Sequence, residues 1–414
     1  MKKKILYSVL ITAIMSYSCN QSGQQQVSDS VGSDSSVKGS FGYDLNFLQQ
    51  HDDSLIVLSN DSEKSQVIVS PKYQAKVFTS TADGNEGLSF GWVNYKAFSG
   101  KPDAHMNAYG GENRIWLGPE GGKFSLFFKP DSSMVFENWK TPAVFDTEPW
   151  TIVNKSSGAA TMQKDMHLLN YKGTEINALV ERSVAILNKE NIEKKIGLGF
   201  DTSIKAVAYQ TNNIITNKGQ NEWTETTGMP CIWMLDMFSP SPTTVIIIPF
   251  KKSGQNFDKI ATTNYFGEIS SDRLKHTDDM LFFKADGKSR GKLGIKPAYS
   301  KPLAGSYDPE HKVLTVIMFD LDSSAKYLNQ EWNTNKPTFS GDAVNAYNDG
   351  PLADGTQMGP FYEIESVSPA AFLKPGQSLS HLHTVFHFTG NTEKLDAIAK
   401  KLFGISLKEI QKQF

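Results

Sequence analysis

Cysteine is almost absent from this chain. Its 414 residues include only Cys19 and Cys231, which excludes a disulfide framework. Arginine is nearly as scarce: Arg114, Arg182, Arg273 and Arg290 are the whole complement. A basic surplus is missing too. Lys and Arg number 42 against 44 Asp and Glu, for a net charge of −2, which is not the balance of a nucleic-acid-binding protein. Neither a GxxxxGK[ST] loop nor a strand-led GxGxxG occurs, so no nucleotide partner and no cofactor is expected. A mean hydropathy of −0.37 argues against a multi-span membrane protein. What is present, 39% hydrophobic and 21% charged residues, is ample for a large packed core.

The N-terminus reads as an address. Lys2, Lys3 and Lys4 precede an apolar stretch from Ile5 to Met15, too short to span a bilayer. Ser16-Tyr17-Ser18 then lead to Cys19, in the manner of a bacterial lipobox. Residues 1–18 are expected to be a lipoprotein signal peptide, with cleavage before Cys19 and lipidation of that cysteine. Residues 19–40 hold nothing that builds a core and read as a flexible tether. The expected location is the bacterial cell envelope, on the periplasmic face or the cell surface, with the lipid anchor in the membrane. Cys231 sits in the apolar run Cys231-Ile232-Trp233-Met234-Leu235 and reads as inert core.

From 41 to 390 short β-rich runs alternate with Gly, Asn, Asp, Pro and Ser. Examples are Val67–Val69, Phe124–Phe128, Thr244–Ile248 and Val313–Phe319. No strands alternate with long amphipathic helices, so a parallel α/β fold is disfavoured. The pattern predicts one all-β domain, a large antiparallel β-sandwich. Short helices are expected at its two ends. One is near Asp44–Gln50, and the other lies in a 391–414 tail where Leu395, Ile398, Leu402 and Phe403 recur at helical spacing. Gly404 reads as a C-cap and Ser406–Glu409 as a capping box.

Four polar segments could carry chemistry. In the first, Asn113 and Arg114 follow Gly110-Gly111, and Arg114 alternates with Trp116 on one strand face. A guanidinium beside an indole suits a sugar, through hydrogen bonds to hydroxyls and contact with the ring; the same arginine could instead tie loops together. In the second, period two puts Glu363 and Glu365 on one face. Paired carboxylates there raise one pKa, which suits acid or base work, unless the strand is a solvated edge. In the third, His381, His383 and His387 share a strand face. Beside the Glu strand, His381 and His383 could bind substrate, move a proton or help hold a metal, or they could be structural. The fourth, Asp342–Pro351, with Asn348 and Asp349, is either a self-satisfying turn or the mouth of a site. The three cations of the nearby Asp286–Lys292 run, Lys288, Arg290 and Lys292, could bind an acidic sugar or phosphate, or the run is simply a solvated loop.

Gly110-Gly111-Glu112-Asn113-Arg114-Ile115, Glu365 on its strand, and Leu373-Lys374-Pro375-Gly376-Gln377 running into Thr384–Phe388 together resemble the aldose 1-epimerases (galactose mutarotases) and their relatives. The whole chain is similar to a bacterial lipoprotein branch with that fold. The resemblance implies a β-supersandwich over 41–390 with a carbohydrate ligand in its concave face. It also implies that an arginine holds the sugar, a glutamate takes the anomeric hydroxyl proton and a histidine protonates the ring oxygen. Arg114 and Glu365 match the first two roles. For the acid, His105, His381 and His383 are the candidates; His167 lies in about the right region but has other neighbours. The family's Glu-x-Gln is Glu365-Ser366-Val367 here. Three functions are therefore expected as alternatives: mutarotase-like acid/base chemistry on a sugar or glycan, with Glu363 and Glu365 in the site; non-catalytic glycan binding; and metal-dependent glycan modification.

Overall fold

The computed structural model describes residues 37–60 and 64–414. The expected signal peptide, Cys19 and residues 19–36 of the expected tether lie outside the described residues. Among the described residues no helix is long and apolar enough to cross a membrane.

Alternation within the apolar runs sets the layers. In Val245–Pro249, Ile246 and Ile248 face one hydrophobic core while Val245 and Ile247 face another. Met280–Lys284 divides in the same way, Leu281 and Phe283 to one side, Met280 and Phe282 to the other. Strands buried on both faces have no polar side to show, so their sequences are apolar without a break. Both belong to a ten-stranded antiparallel sheet. In it the His-bearing strand Ser378–Gly390 pairs with Val313–Phe319 on one side and Ile204–Asn217 on the other.

Helices cover one face of this sheet. Leu395, Ile398 and Phe403 of Thr392–Phe403, with Leu407 and Ile410 of Leu407–Gln411, pack on Val245, Ile247, Leu314, Val316 and Phe386. The C-cap and the capping box are those the sequence predicts. The Asn391 side chain accepts from the Glu393 and Lys394 amides, Gly404 closes the helix at φ +74°, and Ser406 with Glu409 completes a capping box. A further helix, Lys189–Ile196, lies in mid-chain and not at an end as the pattern predicts. Its marks are the Asn188 side chain accepting from the Asn191 amide at 2.9 Å and Gly197 at φ +64°. Only Ile192 and Ile196 of it are buried, a stripe too short to register as a period.

The opposite face packs on a six-stranded antiparallel sheet, ordered Ala261–Thr262, Gly291–Ile295, Val344–Asn348, Tyr362–Val367, Cys231–Phe238, Arg114–Gly118. Ile115, Met234, Ile364, Ala346 and Leu293 meet Ile246, Ile317, Val385 and Val207 in the shared core. A three-stranded sheet of Ile56–Ser59, Gln66–Ser70 and Lys76–Thr81 completes the expected large antiparallel β-sandwich. Phe124–Phe128, expected as a strand, is instead a buried loop. Its amides are satisfied locally, Leu126 N by Pro119 O at 3.1 Å and Phe127 N by Ser125 Oγ at 3.1 Å. Its rings fill the core without a ladder.

Candidate functional site

The six-stranded sheet has one face against the ten-stranded sheet and one turned away from it. Register decides which side chains share the outer face. Met237, Glu363, Tyr347 and Lys292 stand opposite one another across four strands, as do Arg114, Leu235 and Glu365 across three. Trp116 and Trp233 form the next row. Arg114 enters its strand from Gly110-Gly111. Gly110 sits at φ +85°, and a Cβ there would come within 2.2 Å of the Trp92 carbonyl oxygen, so the turn that delivers the arginine requires glycine.

Two ion pairs form the floor of a cleft. Arg114 Nη2 donates to Glu363 Oε1 at 2.6 Å, and its guanidinium lies 5.1 Å from the Trp116 ring centroid. Lys292 Nζ donates to both oxygens of Glu365 at 3.0 Å, and Trp233 Nε1 donates to Glu365 Oε2 at 2.8 Å. The Lys292 ammonium also lies 4.7 Å from the Trp233 ring. Glu365 is fully buried, whereas Glu363 keeps 7% exposure and lines the cleft. Its Oε2 makes no hydrogen bond among the described residues.

These surroundings split the acid chemistry. Burial pushes the Glu363 carboxyl up; the Arg114 charge opposes this, the Glu365 charge adds to it, and the result is about 7. Burial also raises Glu120, which lines the same cleft, against the pull of Lys292. Burial alone would lower the Lys292 ammonium, but the Glu365, Glu120 and Glu363 carboxylates outweigh it and hold its pKa above the ordinary value.

The walls are aromatic and amide-bearing. Tyr347 rises beside Glu363, and its hydroxyl donates to Asp349 Oδ1 at 3.0 Å and accepts from Arg290 Nε at 3.3 Å. The Arg290 guanidinium lies 3.9 Å over the Phe266 ring. Tyr265, Gln330 and Trp332 extend the wall.

Arg114, Trp116, Glu363, Glu365, Asp349 and Arg290 are thus brought together. The other expected residues are not. Asn113 points the opposite way from Arg114, because neighbours on a strand alternate. Its amide donates to Asp236 Oδ1 at 2.5 Å, and its side-chain oxygen accepts from the buried Arg182. His381 and His383 are fully buried between the two sheets and face the far side of the Glu strand. Asp236 Oδ2 accepts from His383 Nε2 at 2.7 Å, His383 Nδ1 accepts from Ser366 Oγ at 2.8 Å, and Ser366 Oγ accepts from His381 Nε2 at 2.8 Å. His381 Nδ1 is left without a partner. Burial and the His383 ring lower His381 to about 3. The expected metal set of these histidines with Glu363 and Glu365 therefore does not converge. Among the described residues no group of three or more His, Cys, Asp and Glu side chains could hold a metal ion.

His105 stacks on Phe136 with centroids 4.5 Å apart and does not line the cleft. Asn348 serves a turn: its Oδ1 accepts from Gly287 N at 2.9 Å and its Nδ2 donates to Ser289 O at 2.8 Å. The Asp286–Lys292 run is not wholly a loop, because Lys292 is the second residue of a buried strand. Trp233, Phe266 and Trp332 are the cleft residues that sequence reasoning does not single out. Trp233 is read as part of an apolar core run, and only the register that sets it opposite Trp116 brings it to the cleft.

Fold and site together define an antiparallel β-sandwich whose free sheet face carries paired carboxylates and cations in an aromatic cleft. Residues 39–414 match a family of unknown function, DUF6786, and the chain belongs to that family. No curated protein matches it. Similar solved structures include the Slr1438 protein of Synechocystis sp. PCC 6803, at 12% identity and TM-score 0.49 over 81% of this chain and 96% of that one. A galactose mutarotase-like protein from Lactobacillus casei ATCC 334 is 10% identical, with TM-score 0.47 over 80% of this chain and 99% of that one. A galactose mutarotase related enzyme from Lactobacillus acidophilus is 9% identical, with TM-score 0.44 over 81% of this chain and 97% of that one.

Proposed function

We propose that this protein handles carbohydrate at the bacterial cell envelope, with the sugar seated over Glu363 and subject to mutarotase-like acid/base chemistry. The observation that carries the reading is the Arg114–Glu363 pair at 2.6 Å on the floor of a cleft lined by Trp116, Trp233 and Tyr347. Aromatic faces take the apolar side of a sugar ring, and charged forks take its hydroxyls. Sugar ring opening needs one group to take the anomeric hydroxyl proton and another to give a proton to the ring oxygen. Glu363 and Glu120 are the two cleft carboxyls with raised pKa, and we assign them the two transfers. Glu365 then acts as a positioning residue, through Lys292 and Trp233. Envelope anchoring through Cys19 rests on the lipobox-like sequence.

The test is polarimetric anomerisation across a panel of aldoses, beside binding measured by calorimetry. Glu363→Gln is expected to slow anomerisation by about 10²–10⁴-fold while sugar binding persists. The non-catalytic alternative draws on one feature: both floor carboxylates already hold a cation. Binding without anomerisation in the unmodified protein would favour it. Absence of binding to every sugar would remove the carbohydrate reading.

A further inference from the structure

We infer that the cleft binds a neutral glycan of two or more sugar units more tightly than a single sugar; this rests on the carbohydrate reading above. The recess over Glu363 is small, about 120 Å³. It shares Glu120, Arg290, Lys292 and Tyr347 with an outer hollow of about 540 Å³. A lone sugar over the floor would leave that outer hollow to water. Sites that enclose a whole ligand span about 300–1,000 Å³, and the outer hollow is large enough to be one.

The outer hollow is built for contact. Its rim carries Phe136, Phe266, Leu352 and Met358, exposed at 58, 44, 47 and 44%. Eight large hydrophobic side chains are exposed to this degree among the described residues. Four of them on one rim make a patch, and a patch at the mouth of a cleft marks a binding surface. Phe136 is also held in place. His105 stacks on it at 4.5 Å and 13°, and Trp139 lies nearly parallel at 6.1 Å and 20°. His105, which does not line the cleft, thus supports a ring that does. A fixed aromatic ring loses little freedom on binding and offers its remaining surface to the C–H face of a pyranose.

Charge decides between neutral and anionic chains. The outer lining holds the carboxyl groups of Glu120, Glu331 and Asp349 against the two cations Arg290 and Lys292. Carboxylates outnumber cations there, so a uronate or sulfated chain gains no net attraction. Gln357, whose Nε2 donates to Gly287 O at 2.7 Å, keeps its side-chain oxygen for the neutral hydrogen bonding that hydroxyls need.

The test is a calorimetric titration of the methyl glycosides of glucose, galactose, mannose and N-acetylglucosamine, their dimers and trimers, and galacturonan oligomers. At least one neutral series is expected to gain about tenfold in affinity from methyl glycoside to dimer. Phe136→Ala and Phe266→Ala are expected to collapse that ratio towards one; Phe136 is exposed, so its loss spares the fold. Equal affinity for monomer and oligomer would overturn the inference and leave the carbohydrate reading standing. Tighter binding of galacturonan than of any neutral chain would also overturn it. Failure of every probe to bind would remove both.

Discussion

Arg114 and Glu363 are 249 positions apart in sequence, yet Nη2 of one meets Oε1 of the other at 2.6 Å with both side chains below a tenth exposed. A buried pair of this kind is weak evidence for stability but costly to break. Arg114→Met leaves Glu363 buried without its cation and is expected to cost about 3–5 kcal/mol in urea unfolding. Arg114→Met combined with Glu363→Gln is expected to recover most of that loss, because no charge is then stranded. An additive double variant would separate the two residues.

The raised Glu363 carboxyl predicts a pH profile. A base must be deprotonated, so anomerisation is expected to rise as pH passes upward through about 7. Glu363→Gln should lower the rate and flatten that limb. The same shift has the opposite sign for folding. The folded carboxyl holds its proton to higher pH than the unfolded one, so its contribution to stability is lost as pH rises from 4.5 to about 7.

His381 predicts the behaviour on the acid side. Its folded pKa is about 3 against an ordinary 6.5. The unfolded chain therefore binds a proton that the folded chain refuses. Its contribution is intact above pH 6.5 and is lost at roughly 1.4 kcal/mol per pH unit below that. Urea midpoints of the unmodified protein and His381→Gln, compared from pH 7.5 to 4, should converge as pH falls. A constant difference would show that His381 is not held neutral by its surroundings.

Lipidation is tested directly. Metabolic labelling with a tagged fatty acid should mark the unmodified protein, and Cys19→Ser should abolish the label and release the chain into the soluble envelope fraction. Labelling that survives the substitution would exclude Cys19 as the acceptor.

The β-sandwich was legible because Val245–Ile248 and Val313–Phe319 are almost wholly apolar, and the C-terminal helices because their helical spacing ends in caps written in Gly404, Ser406 and Glu409. Arg114 and the Glu strand were legible as chemistry, since charge amid β-rich apolar runs has few structural uses. The histidines misled for a topological reason. Their alternation is as read, but sequential strands need not be neighbours. After Gly376 the chain crosses to the other sheet, and the His strand pairs with Ile204–Asn217, so His381 and His383 meet the Glu strand only from behind, through Ser366. Asn113 misled through parity, one residue from Arg114 and on the opposite face. Trp233, Phe266 and Trp332 stayed hidden because their places at the cleft depend on which strands and loops lie side by side, which local pattern does not encode.

The helices 392–403 and 407–411 roof the ten-stranded sheet, so the C-terminal residue Phe414 and the cleft lie on opposite sides of the sandwich. A sensor chip or fluorophore coupled through that end would stand behind the molecule, and the glycan titrations could be run on immobilised protein with the mouth of the cleft unobstructed.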